Sequence, residues 1–259
     1  MKSLRVILLI GLISSGLAVV GSAARNSTVS EALPPAETQA DFDLMRWALE
    51  EAHSGLYRYS SKAEMGRVFD AERVRLTRPL TKVEFMAVLV ETLAQIRCGH
   101  TGVTPDEATQ KELAAARMFP IRVMIEGRRL MVLSNDTLDD QTIRPGMEIL
   151  EIDGHKAADI LSRILPKVPT DGDIETGKRV RLQIAFPRNY WLFVEQTSDF
   201  IVKVRDPNGK IVTSRLAGVT ESERPKNSNQ NPVNAELQSS SAKLRWWSGN
   251  LALRFVKDP

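Results

Sequence analysis

A single cysteine, Cys98, stands among 259 residues. No intramolecular disulfide and no cysteine-built zinc cage can form within such a chain. Histidine is nearly as scarce. His53, His100 and His155 sit in separate segments, and no two are spaced for helical metal binding, so no metal site is expected. There is no Gly-Gly pair, no G-x-S-x-G elbow, no H-E-x-x-H and no phosphate loop, and no cofactor is expected. Charge of one sign is also lacking: Lys and Arg number 35 against 32 Asp and Glu. Two of those cations, Lys2 and Arg5, belong to a leader, which leaves no clustered basic footprint for nucleic acid.

What is present begins with that leader. Lys2 and Arg5 precede an apolar run over 6–20, and Gly21-Ser22-Ala23-Ala24 offers small residues for cleavage, most simply after Ala23. As helix the run would span about 22 Å, short of the roughly 30 Å of a bilayer core. Residues 1–23 therefore read as a signal peptide. The mature chain is expected to be exported, periplasmic or secreted, with no membrane attachment unless the leader stays uncleaved.

Helical signals occupy 38–101. Thr38 with Asp41, Ser61 with Glu64, and Thr81 with Glu84 mark three helix starts. Apolar residues follow each at helical spacing: Phe42, Met45 and Leu49; then Met65, Val68 and Phe69; then Phe85, Val88, Leu89, Leu93 and Ile96. After Gly102 and a short helical stretch over 107–116, the period falls to two. Strands are expected at 119–125, 130–133, 148–152, 200–204 and 210–212, with turns at Gly127, at Pro145-Gly146, at Asp153-Gly154 and at Asp206-Pro207-Asn208-Gly209. A helix over 156–165 carries Ile160, Leu161 and Ile164 on one side. The expected class is α+β, with a helical region at 38–101 and a β-domain at 117–220. Residues 221–243, rich in Ser, Asn, Gln and Pro, read as a linker. Residues 244–259 resume apolar alternation, as the start of a further domain would.

Cys98 and His100 invite a thiol–imidazole reading, but residues two apart meet side chain to side chain only around a sharp turn. A small buried cysteine at a helix end, and a histidine capping the last carbonyls of the third helix, are the expectations. Trp246-Trp247 reads as a pair of strand residues pointing to opposite faces.

Two segments, taken in order, resemble a known family. The first is the helical run ending in LAQIRCGHTGV. The second opens at FPIRVMIEGRRLMVLSN and continues through IRPGMEILEIDGHKAADIL, PTDGDIETGKRVRLQIAF and DFIVKVRDPNGKIVTSRLAGV. Together they resemble the N-terminal half of exported tail-specific, or C-terminal-processing, serine peptidases, which cleave with a Ser–Lys pair. The PGMEILEIDG step matches the family's PDZ-like turn-and-strand step. The resemblance covers about 41–219 and implies that the β-domain is PDZ-like. It also implies that the nucleophile and its lysine lie in a core following that domain, so no catalytic residue is assigned in this chain. On that basis 244–259 would be the beginning of a core that is cut short, and the chain a catalytically incomplete form.

The resemblance further implies partners: unfolded segments or peptide C-termini, added as a strand beside a helix with the carboxylate held by backbone N–H groups. In the exported version of the domain the holding loop precedes the first strand, here Met118, Phe119 and Ile121 around Pro120. The opposing helix would present Ile160 and Ile164. A free-standing exported peptide-binding module without enzymatic activity is the alternative, and a purely structural β-domain the third reading.

Overall fold

The computed structural model describes residues 32–235. The expected signal peptide at 1–23 and the expected further domain at 244–259, with its tryptophan pair, lie outside the described residues. Three helices come first: α1 (Pro35–Ala52), α2 (Lys62–Val74) and α3 (Lys82–Ala94). Two start where their capping boxes predict. The Ser61 hydroxyl accepts from the Glu64 N–H while the Glu64 carboxylate accepts from the Ser61 N–H, and Thr81 with Glu84 does the same. Such a cap satisfies two of the amide donors that a helix start leaves unpaired. Thr81→Ala should lower unfolding free energy by about 1 kcal/mol, read as a lower urea midpoint with an unchanged slope.

The expected Thr38–Asp41 start is corrected. The helix begins four residues earlier, because Pro35 at its first position has no N–H to satisfy and its φ is already helical. Thr38 is buried inside the first turn, its hydroxyl donating to the Pro35 carbonyl at 3.1 Å.

Phe42, Leu56, Met65, Phe69, Leu76, Phe85 and Ile96 close the helical core. Helix α3 is apolar all round and is therefore buried on several sides. Phe85 and Val88 face the helical core, while Ala87 and Val90 pack against the sheet core. Val83 and Met86 meet Leu113, on α4 (Glu107–Ala115), and Met118. Helix α3 is thus the shared wall between the helices and the sheet.

The sheet is antiparallel. Strands β1 (Ile121–Glu126), β2 (Arg129–Asn135), β3 (Glu148–Ile152), β5 (Asp199–Arg205) and β6 (Ile211–Ala217) lie in the order β1-β2-β3-β5-β6, with the two-residue β4 (His155–Lys156) paired to β3. The burial of β1 alternates residue by residue, as a strand with one covered face requires. Asp153 and Gly154, both at positive φ, make the tight turn from β3 to β4. Helix α5 (Ala157–Ile164) follows, and then α6 (Glu175–Phe193), a 19-residue helix that the sequence pattern did not announce. Ala185 leaves helical geometry two residues before Pro187, which lacks the N–H that would continue the ladder. Beyond the bend, Phe186, Tyr190 and Phe193 enter the sheet core with Leu182.

The expected linker at 221–243 is also corrected over its described part. Residues Glu223–Gln230 form α7, and Pro232–Asn234 a 3₁₀ turn. Polar anchors hold them. Buried Asn234 donates to the carbonyls of Asn135 and Ser228 and accepts from the Asn135 N–H; buried Asn231 donates to the carbonyls of Thr137 and Asp140. Arg224 reaches the fully buried Asp136 carboxylate at 3.2 Å and the Phe119 carbonyl at 2.7 Å. Among the described residues every buried side-chain nitrogen and oxygen has a partner, and no helix is long and apolar enough to cross a membrane.

Candidate functional site

The most elaborately braced exposed loop is 97–101. Helix α3 runs out through backbone bonds from Gln95, Ile96 and Arg97 to carbonyls three residues back, so its last carbonyls are already occupied. Arg97 then takes φ 57° and reverses the chain. Thr101 N–H then donates to the Cys98 carbonyl at 3.3 Å, and this tight turn over 98–101 is the one that side chains two apart need in order to meet. Cys98 Sγ, an imidazole nitrogen of His100 and a carboxylate oxygen of Asp171 lie within 4.8 Å of one another.

Bonds fix the loop from three directions. Gly172 N–H donates to the Arg97 carbonyl at 2.9 Å, and the Arg97 guanidinium donates to Tyr59 O, Ser60 Oγ and Asp173. Gly99 N–H donates to Asp171 Oδ1 at 2.8 Å, and Arg181 of α6 donates to the Gly99 carbonyl at 3.0 Å. A Cβ at residue 99 would sit 2.7 Å from Arg181 Nη2 and 3.3 Å from Asp171 Oδ1, so a larger residue there would displace the end of the Arg181 side chain. At the far end, His53 Nε2 bonds Thr101 Oγ1 at 2.7 Å. Because His53 Nδ1 accepts from the Gly55 N–H, the neutral ring must donate through Nε2. His53 is thus a brace.

The expected capping role of His100 is corrected. Its side chain is 87% exposed, with Nδ1 3.9 Å from Asp171 Oδ1. A rigid loop holds up a solvent-facing imidazole with a carboxylate behind it. Cys98, expected to be buried, is half-buried against the helical core.

The residues assigned to peptide holding lie elsewhere, in the core. Phe119, Ile121, Ile160 and Ile164 are at most 1% exposed, and Met118 is 7% exposed. The 118–121 loop offers few amides to a carboxylate in this arrangement. Met118 N–H is bonded to the Val219 carbonyl, Pro120 has no N–H, and Ile121 is paired with Asn135. Ile160 and Ile164 lie on α5, whereas the helix beside β1 is α6.

That placement defines a second feature. Strand β1 is an end of the sheet, and its Ile125 N–H donates to Gln183 Oε1 of α6 at 2.7 Å. Arg179, one turn earlier, donates to the Gly127 carbonyl in the β1–β2 turn. The first half of α6 therefore closes the edge of β1, and through Arg181 it also holds the 97–101 loop. Leu182, Phe186 and Tyr190 at helical spacing were the signal that could have revealed this helix; Pro187 obscured it.

No family model matches the chain, and no curated protein matches it. Solved structures do. The chain is similar to mature CPAF, a chlamydial serine protease, at 16% identity and TM-score 0.50, over 71% of this chain and 34% of that one. Mature CPAF complexed with lactacystin matches with the same figures. A serine-to-alanine mutant of CPAF matches at 15% identity and TM-score 0.50, over 80% of this chain and 38% of that one. The likeness is one of fold, and the chain spans little more than a third of the structures it matches.

Proposed function

We propose that this chain forms the helical and PDZ-like part of an exported tail-specific serine peptidase, and that its sheet captures the C-terminal end of an extended substrate. The observation that carries the reading is the edge strand β1 lying beside α6 with Gln183 on the Ile125 N–H. Strand-and-helix grooves of this kind bind peptides by adding them as a further strand, through main-chain hydrogen bonds. Gln183 here occupies one of the donors that an added strand would use. Capture then requires that side chain to swing away, and the bend at Ala185 gives the first half of α6 a place to yield.

The braced loop with His100 favours a second reading, in which the base is a histidine rather than the lysine of a Ser–Lys pair. Serine hydrolases hold a base imidazole in one orientation by setting a carboxylate against Nδ1, and Asp171 lies on that side of His100. An imidazole offered in this way would serve a nucleophile contributed from beyond the described residues. Export rests on the leader at 1–23.

The test is a titration of the purified chain with a labelled peptide ending in Ala or Val, beside the same peptide amidated. The free-carboxyl form should bind at least tenfold more tightly. Gln183→Ala removes a competing acceptor worth roughly 0.5–1.5 kcal/mol, so it should tighten binding by about two- to tenfold. Equal affinity for both peptide forms would overturn the reading.

A further inference from the structure

The geometry points to a site for a borderline-soft divalent cation, Zn²⁺ in particular, built from Cys98, His100 and Asp171. The three side chains supply a thiolate, an imidazole and a carboxylate, with ligand atoms within 4.8 Å of one another. In a tetrahedral zinc site, with metal–ligand distances of about 2.0–2.3 Å, ligand atoms stand roughly 3.3–3.8 Å apart. Closing the difference takes only side-chain rotation, and the exposed His100 ring is free to make it. The backbone beneath is already set. The turn closed by Thr101 N–H on the Cys98 carbonyl keeps Cys98 and His100 close, and the Gly99 N–H holds Asp171 Oδ1 against the same loop. An outer hydrogen bond that fixes a ligating carboxylate in this way raises affinity by orienting it.

The donor set selects the ion. A thiolate with an imidazole disfavours Mg²⁺ and Ca²⁺, which take oxygen ligands, and suits Zn²⁺. Charge balances: thiolate and carboxylate together offset the dication, with the imidazole neutral. Three protein ligands leave a fourth position open to water or to an incoming carboxylate. A bound ion would fasten the 97–101 loop to the loop carrying Asp171, and an imidazole that ligates it could not serve as a base, so the two roles of His100 exclude one another. This site does not depend on peptide capture at β1.

Co²⁺ serves as the spectroscopic probe and Zn²⁺ as the competitor, on the full chain without an affinity tag. One Co²⁺ per chain should give a thiolate-to-metal charge-transfer band that Zn²⁺ abolishes. Cys98→Ser should remove that band. His100→Ala and Asp171→Asn should each weaken Zn²⁺ binding by at least about tenfold. His100→Ala is decisive, because so exposed a side chain can be removed without disturbing the fold, which circular dichroism would verify. Zn²⁺ bound equally well by the wild type and by His100→Ala, or a Co²⁺ complex without the sulfur band, would overturn the proposal.

Discussion

Phe119→Ala should cost about 3–5 kcal/mol of unfolding free energy, the range for truncating a fully buried aromatic. The Phe119 ring is 0% exposed and sits among three others: Phe186 at 5.8 Å, Tyr190 at 5.9 Å and Phe200 at 5.3 Å between centroids. Edge-on and tilted packing of this kind adds about 0.5–1.5 kcal/mol per pair beyond area burial. The cluster joins the loop before β1, both turns of α6 beyond its bend, and β5, so one truncation loosens all of them. Urea denaturation is the measurement. The result discriminates between two roles for this residue. A peptide-holding Phe119 would lose affinity on truncation at nearly constant stability, whereas a core Phe119 loses stability first.

Asp136→Ala should be nearly as damaging. Its carboxylate is fully buried and receives Arg122 at 3.1 Å, Arg224 at 3.2 Å and the Ser134 hydroxyl at 3.0 Å. Burial lowers the pKa of the Arg224 guanidinium, and the Asp136 carboxylate opposes that effect. Removing the carboxylate strands a largely buried cation, for which the cost is about 3–5 kcal/mol. Part of that loss should be local. Arg224 is the charged anchor of α7, so limited proteolysis should cut the 223–235 segment of the variant well before it cuts the wild type. A buried pair is weakly screened, so the difference in stability should persist at high salt. Equal stability of wild type and variant would mean that α7 does not depend on this pair.

The two cases also mark what could be read from the sequence. Alternation in 119–125 and 148–152, and the turn residues at Gly127, Pro145-Gly146 and Asp153-Gly154, gave the strands and their connections, because side-chain period and positive φ are local properties. Ser61–Glu64 and Thr81–Glu84 gave two helix starts for the same reason. Helix α7 has a capping box of its own, Thr220 with Glu223, whose reciprocal bonds form, but no apolar stripe follows it. The segment is anchored just beyond α7 by Asn231 and Asn234, polar residues whose partners lie 90 or so positions away, and hydrophobic patterning is blind to them. The stripe of α6 was present in Leu182, Phe186, Tyr190 and Phe193, but Pro187 broke the pattern that would have joined it.

The candidate sites divide in the same way. Phe119, Ile121, Ile160 and Ile164 are apolar residues on periodic faces, and such faces build cores before they build grooves. Cys98 and His100 were visible as residue types. Their meeting depends on the turn closed by Thr101 N–H on the Cys98 carbonyl, and the third member, Asp171, lies more than 70 residues along the chain, where spacing gives no sign of it. Gln183 on the edge of β1 is likewise a tertiary fact, created by the way α6 folds back on the first strand.

Peptide capture at the edge of β1 is tested most directly by amide spectra of the ¹⁵N-labelled chain, recorded while a free-carboxyl peptide is added. Saturable shifts at Val123, Ile125 and the Gln183 side-chain amide are expected, with little change when the amidated peptide is used. No shift along β1, or identical shifts with both peptides, would contradict capture of a C-terminus at this strand.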